Sequence, residues 1–352
     1  MDRTIQPEIQ DLENLIVTLP MRTTLPNGIP LAVIKAGEQD VVRMDILFAG
    51  GRWQQTQKLQ ALFTNRMLRE GSLKYTASEI AEKLDYYGAW LELSSSSEYA
   101  YITLYSLNKY FAETLEILES IIKEPLFPEK DLNTVLDVNI QQYLVNSSKV
   151  DFLAQRSLLT ALYGNEHPCG RLTEEKDYRL ITPDVLREFY DEYYHSGNCA
   201  IFLSGNVTDD VIHKVESAFG NTPFGNYQYP LVKKEYTFTT TPDKRIFVER
   251  DDALQSAIKL GATTIERTHP DYLKLRVLMT LFGGYFGSRL MSNIRENKGY
   301  TYGISAGTLF YPGSGMILIS TEADNEYVEL LIREVYRSEE RRVGKECCLP
   351  CR

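Results

Sequence analysis

The chain has 352 residues, 43% of them apolar and 24% charged, and a formal charge of −10 at pH 7. That is the composition of a folded globular protein with room for two domains. The acidity excludes a nucleic-acid or anionic-membrane partner, each of which demands a basic face. No run approaches the roughly eighteen apolar residues of a membrane helix. The first thirty residues lack the apolar core of a signal peptide, so a cytoplasmic location is expected.

In chain order, "TTLPNGIPLAVIK" places a turn at Pro26-Asn27-Gly28 before an apolar strand, and "VVRMDILFAGG" is a second strand ending in glycines. "LQALFTNRMLREGS" (59–72) follows as one amphipathic helix, with Leu59, Leu62, Phe63 and Met67 at core spacing and Gly71 at its stop. Asn65 and Arg66 flank that stripe, where a long cation is hard to bury without a partner. In "TASEIAEKLDYYG", Thr76 and Glu79 make a capping box and Gly88 closes the helix. "AWLELSSSS" and "YAYITLYSL" alternate with period two, as antiparallel strands with one wet face do. A helix from Lys109 to Lys123 completes the unit. Helices between Asp131 and Gly164, a capped helix at Thr182-Pro183 and the strand "CAIFLSGNV" come after it.

The order then recurs. "LQSAIKLGATT" repeats the strand of Val42 to Gly50, with Phe48 and Gly261 lying 213 positions apart. "HPDYLKLRVLMTLFGG" and "GSRLMSNIRENKG" supply two helices, "TYGISAGTLF" and "GMILISTEA" the strand pair, and "NEYVELLIREVY" the closing helix. The expected organisation is a first domain over 1–230 and a second over 231–336 that lacks the helices and strand that end the first. Cys347, Cys348 and Cys351 crowd the last six residues, but "RSEERRVGKEC" back-translates to a common sequencing adapter. Residues 337–352 are therefore expected to be read-through rather than a metal or redox cluster.

Few stretches offer chemistry. The four histidines, His167, His195, His213 and His269, include no pair at i and i+4, so no zinc helix is present. His167 beside Cys169 in "GNEHPCG" is a loop histidine first and a metal ligand only as an alternative. There is no G-x-S-x-G. "LFGGYFGSRL" has neither the ending of a P-loop nor a G-x-G-x-x-G. Its glycines, Gly283, Gly284 and Gly287, let a backbone or a bound peptide approach closely and are candidate substrate-binding positions. "RENKGYTYGISAG" sets Arg295 near a helix end and Tyr302 at the start of the next strand.

Together, "LFGGYFGSRLMSNIRENKGYTYGISAG", the "EHPCGR" loop and "YYHSGNCAIFLSGNV" resemble the insulinase/pitrilysin family of inverted-motif zinc peptidases, which includes the mitochondrial processing peptidase. The resemblance spans Leu25 to Tyr336. It implies an α+β fold of two tandem homologous α/β sandwich units, LuxS/processing-peptidase-like, each an antiparallel-rich sheet with helices on one face, the second truncated. Active members carry H-x-x-E-H on the helix that is "LQALFTNRMLREGS" here. Anchoring on Met67 and Gly71-Ser72 puts Leu62 and Arg66 at the two ligand positions and Asn65 at the catalytic glutamate. Leu has no lone pair, Arg brings a positive charge to a dication's seat, and Asn cannot take a proton from water. The family's third ligand falls within "VLDVNIQQY" (135–143), which holds Asp137 and no Glu. The resemblance thus implies no metal or cofactor in this chain.

The family's second-domain Arg and Tyr fall on Arg295 and Tyr302, and in the family this pair reaches towards the scissile carbonyl at a zinc site. The resemblance implies a non-catalytic subunit of a heterodimeric zinc peptidase. Its partner would be an insulinase-like subunit with intact H-x-x-E-H that holds the zinc, and its substrate an unfolded peptide. The rival is a purely structural or peptide-binding subunit like the core proteins of respiratory complexes. An enzyme with an unrelated site would rest on His167 and Cys169 alone.

Overall fold

A computed structural model of the protein describes residues 17–227 and 234–340. Its elements are β1 (Met21–Thr24), β2 (Pro30–Lys35), β3 (Val41–Phe48), α1 (Gln60–Met67), α2 (Ala77–Tyr87), β4 (Trp90–Ser95), β5 (Ala100–Leu107), α3 (Phe111–Lys123), α4 (Glu129–Ser147) and α5 (Val150–Tyr163). There follow α6 (Glu175–Tyr178), α7 (Pro183–Tyr193), β6 (Cys199–Gly205), α8 (Asp209–Val215), β7 (Gln255–Thr264), α9 (Tyr272–Gly283), β8 (Ile304–Tyr311), β9 (Ser314–Asp324) and α10 (Val328–Glu340).

Two compact units emerge, and neither is continuous in sequence: Met1–Leu132 with Ile181–Lys233, and Asn133–Leu180 with Lys234–Arg352. The boundary expected between 230 and 231 lies outside the described residues. The helices of 133–180, expected in the first domain, group with the second half of the chain.

The first unit is a six-stranded sheet in the order β1-β2-β6-β3-β5-β4, antiparallel except for β2 against β6. Alternation decides its faces. Val42, Met44, Ile46 and Phe48 of β3 are fully buried, while Arg43, Asp45 and Leu47 between them face outward. Local signals are met closely: the Thr76–Glu79 capping box forms, Gly88 closes α2 with φ 62°, and the Thr182 hydroxyl accepts from Val185 N to start α7 at Pro183. α1 is shorter than its apolar pattern. It stops at Met67, a 3₁₀ turn covers Leu68–Glu70, and Gly71 ends it with φ 135°.

The second unit holds a three-stranded antiparallel sheet in the order β7-β9-β8. Ile258, Ile304, Ala306, Ile319 and Ala323 face a core that includes Met279, Leu290, Ile294, Leu331 and Val335 from α9, α10 and the turns between. The other face is covered as well, against the expectation of helices on one face only. There α5 brings Leu158, Leu159, Leu162 and Tyr163 against Met316 and Leu318, and Leu158 sits on Gly261. The second helix expected here is a π-helix over Met291–Asn297.

The repeat is real but its register shifts once. Leu91 pairs Leu104, which pairs Met44; Ile304 pairs Thr321, which pairs Ile258. Ile304 thus answers to Leu91, 213 positions away, but Ile258 answers to Met44, 214 positions away. Phe48 and Gly261, equated from the sequence, point to opposite faces, because a one-residue slip inverts a strand. Arg337–Glu340, expected outside the fold, continue α10, and Ser338 is buried with its hydroxyl 3.2 Å from Asn293 Nδ2. Residues 341–352, the cysteine cluster included, lie outside the described residues. Among the described residues no helix is long and apolar enough to cross a membrane.

One glycine of the first unit is fixed by space. A Cβ on Gly51 would lie 2.4 Å from the carbonyl carbon of Glu98 and 2.5 Å from the oxygen of Ser97, both backbone, where Gly51 N already donates to Glu98 O. Gly51→Ala is expected to lower the unfolding free energy by about 1–3 kcal/mol, since neither chain can yield without breaking that ladder. A urea midpoint equal to that of the unaltered protein would contradict it.

Candidate functional site

The chemistry-bearing positions fall into two groups, one in each unit. In the first, α1 is held at its start by Gln60. Its Oε1 accepts from Thr56 N (3.1 Å), Thr56 Oγ1 (3.1 Å) and Gln57 N (3.4 Å), and its Nε2 donates to Val185 O of α7 at 2.9 Å. Thr64 Oγ1 donates to Leu186 O one turn on. Phe63 and Met67 are buried as the stripe requires, but Leu62 is only half-buried and shares its partly open face with Arg66, four residues on. The Arg66 guanidinium lies 6.0 Å from the Phe63 ring.

Asn65 is 0% exposed, and its Nδ2 donates to Tyr101 O at 3.5 Å. Beside it stands the fully buried phenol of Tyr194, whose pKa burial drives up and the Asn65 amide draws back. Neither Asn65 Oδ1 nor Tyr194 Oη completes a hydrogen bond within the protein.

This donor set does not suit zinc. Leu62 offers nothing, Asn65 a neutral amide sealed in the core, and Arg66 a cation. Asp137, in the stretch where a third ligand was sought, is exposed on α4 and faces Arg179 at 3.7 Å. Among the described residues no group of three His, Cys, Asp or Glu is placed to hold a metal. His167 is a core residue rather than a ligand. It is 1% exposed, stacks on Tyr163 at 4.9 Å, and accepts Cys169 N on Nδ1 at 3.1 Å, and burial lowers its pKa.

In the second unit the structure brings Arg295 and Tyr302 together. Arg295 projects from the π-helix with its guanidinium between two rings, 4.8 Å from Phe286 and 5.2 Å from Tyr302. Its Nε is 3.5 Å from Glu296. Tyr302 itself is 91% exposed, so its hydroxyl is free to meet a ligand. The turn that carries it is locked from below. Gly299 takes φ 68°, and the buried Thr301 hydroxyl donates to Glu322 O at 2.6 Å and accepts from Gly303 N and from Thr321 Oγ1. Tyr302 borders an acidic groove of about 710 Å³ in the same unit, lined also by Tyr300, Glu322, Asp324 and Tyr327.

Phe286 and Thr301 were not singled out in the sequence. Phe286 lay within a stretch read for its glycines, and nothing but the fold distinguishes Thr301 from any strand threonine. The glycines themselves serve internal packing. A Cβ on Gly283 would meet Ala306 N of β8 at 2.6 Å, and one on Gly284 would meet Thr280 Cα at 2.7 Å. One on Gly287 would meet only the Tyr285 ring, at 2.9 Å.

Comparison with known proteins agrees with this layout. The family model described as "Insulinase (Peptidase family M16)" matches residues 32–174, and that described as "Peptidase M16 inactive domain" matches 180–341. The chain is 26% identical over 302 residues to an uncharacterised zinc protease, YmxG, of Bacillus subtilis, covering 85% of this chain and 72% of that one. It is 27% identical over 243 residues to a Helicobacter pylori protein called a non-peptidase homolog, covering 68% and 55% of the two chains. The crystal structure of a peptidase M16 inactive domain from Pseudomonas fluorescens superposes with a TM-score of 0.82 at 24% identity, covering 91% of this chain and 78% of that one.

The purified chain, dialysed and analysed for metals, is expected to retain far less than one zinc per molecule, because none of Leu62, Asn65 and Arg66 presents a zinc-binding lone pair at the helix face. One tightly held equivalent would mean that a donor set other than this one exists.

Proposed function

Because this chain belongs to the insulinase (M16) peptidase family yet has Leu62, Asn65 and Arg66 where that family's metal motif stands, we propose that it is a non-catalytic subunit of a two-subunit zinc peptidase. Its contribution is Arg295 and Tyr302, offered to a zinc-bearing partner whose own H-x-x-E-H is intact. The observation that carries this reading is the contact between the two side chains. A guanidinium stacked between two rings keeps its donors in a fixed plane, and the Tyr302 hydroxyl stands in solvent beside it. That is the pairing needed to receive an oxyanion as it forms on a peptide carbonyl. The Thr301 network keeps the phenol in place without occupying it.

The substrate class is an unfolded peptide, which binds by main-chain hydrogen bonds to a sheet edge. A purely structural or peptide-binding subunit is the competing reading, and the two separate in one experiment. The chain is mixed with an M16 subunit bearing intact H-x-x-E-H and assayed on an unstructured peptide. Arg295→Ala or Tyr302→Phe is expected to cut turnover by about 10²–10³, or about 3–4 kcal/mol of transition-state stabilisation. The loss should fall on kcat rather than KM, because each donor is engaged most strongly in the transition state. Assembly of the pair, followed by gel filtration, should not change. Unaltered kcat in both variants would leave the structural reading standing.

A further inference from the structure

The first unit shows what its helices and central strand require, and the second unit lacks it. In the first, α1 is covered by α7, which bonds to it through Gln60 and Thr64, and β3 is paired on one edge by β5 and on the other by β6. The 213-residue offset that relates Leu91 to Ile304 also relates Gly71, which ends the α1 region, to Gly284, which ends α9. On that offset Gln60, Thr64 and Leu68 answer to Leu273, Val277 and Leu281. The first three are 2%, 0% and 0% exposed, and the second three are 71%, 61% and 58% exposed. Leu278, the counterpart of the sealed Asn65, is 60% exposed.

The adjoining sheet is open in the same way. β7 pairs with β9 on one edge, and among the described residues no strand pairs with its other edge, where β6 lies against β3 in the first unit. Residues 245–250, which precede β7 as β2 precedes β3, form no strand and leave Ile246, Phe247 and Val248 exposed. β2 itself is held by β6. One missing element of the α7–β6 type accounts for all three openings: the bare helix face, the unpaired edge and the unformed strand. Four large apolar side chains on one helix face and a ten-residue open edge form a surface that a soluble monomer does not leave uncovered.

We propose that this surface is the seat of a helix-then-strand segment that follows residue 340 in the native polypeptide. Its helix carries an apolar face like that of Leu186, Phe189, Tyr190 and Tyr193 of α7 and lies across Leu273, Val277 and Leu281. Its strand pairs with the free edge of β7 and gives residues 245–250 the neighbour they need to pair. This inference is independent of whether Arg295 and Tyr302 serve a partner's site.

The test compares the 352-residue chain with a chain extended along the native reading frame of the source DNA. Each carries Val277→Cys, and maleimide labelling at position 277 is followed by peptide mass spectrometry. Exchange of the β7 amides is measured in both chains without the substitution. In the 352-residue chain, position 277 should label at the rate of an open thiol and one edge of β7 should exchange quickly. In the extended chain, labelling should slow by about 100-fold or more, because access then requires local opening, and the β7 amides should become protected. Equal labelling in the two chains would overturn the proposal, and so would a native frame too short to hold a helix and a strand. Protection of position 277 in the 352-residue chain that rises with concentration and is abolished by Leu281→Glu would assign the seat to a second copy instead, which also overturns it.

Discussion

The first unit depends on the return of α7 and β6 to β3. β3 is buried on one face and paired along both edges, and neither its second edge nor the outer side of α1 is satisfied until residues 183–205 arrive. One continuous segment does both. α7 lies on α1 through Gln60 and Thr64, and six residues later β6 enters the sheet antiparallel to β3 and parallel to β2. These contacts span more than 120 positions of sequence, so the core is assembled at the cost of closing a long loop. Tyr190 ties this arrangement to α3, donating its hydroxyl to Ile122 O at 2.6 Å in the buried interior.

From that packing comes the different character of the two chemical positions. Asn65 lies on the side of α1 that the returning segment seals, among Tyr194 and the Tyr101 carbonyl. Arg295 and Tyr302 lie on a turn and a π-helix at the surface of their unit, where a wider helical turn displaces a side chain from the regular stripe. A ring on each side of the guanidinium substitutes for the carboxylate that would otherwise orient it. The first position is made for packing and the second for contact.

Much of this was legible in the sequence where the signal is local. Thr76 and Glu79 announce a capping box, Thr182-Pro183 a helix start, and the alternation of "YAYITLYSL" a strand with one buried face, and each forms as written. The Arg295–Tyr302 pair was legible as a pattern, but its aromatic shelf, Phe286, was not, because ring-to-cation stacking has no sequence period. Two things were misread for one reason. Leu62 was counted into the core and Gly261 was matched to Phe48, yet periodicity gives the repeat of a face and not its phase against neighbours that arrive from elsewhere in the chain. The assignment of α5 to the second sheet is of the same kind. Its apolar content shows that it is buried somewhere, and only the smooth opening at Gly261 shows against which strand.

The loss of the metal motif and the identity of residue 65 are physically one event. A glutamate at a position 0% exposed would carry a charge whose burial costs several kcal/mol unless a cation or several donors met it. In a metal-bearing site the neighbouring dication supplies that compensation. With Leu62 and Arg66 in place of nitrogen ligands there is no dication, and a carboxylate at 65 would have to be protonated or would loosen α1 from β5. An amide of the same reach keeps the donor to Tyr101 O and removes the charge. Asn65 is therefore what the fold accepts once the ligands are gone. Restoring a carboxylate there before the metal would work against the packing of α1 rather than towards catalysis.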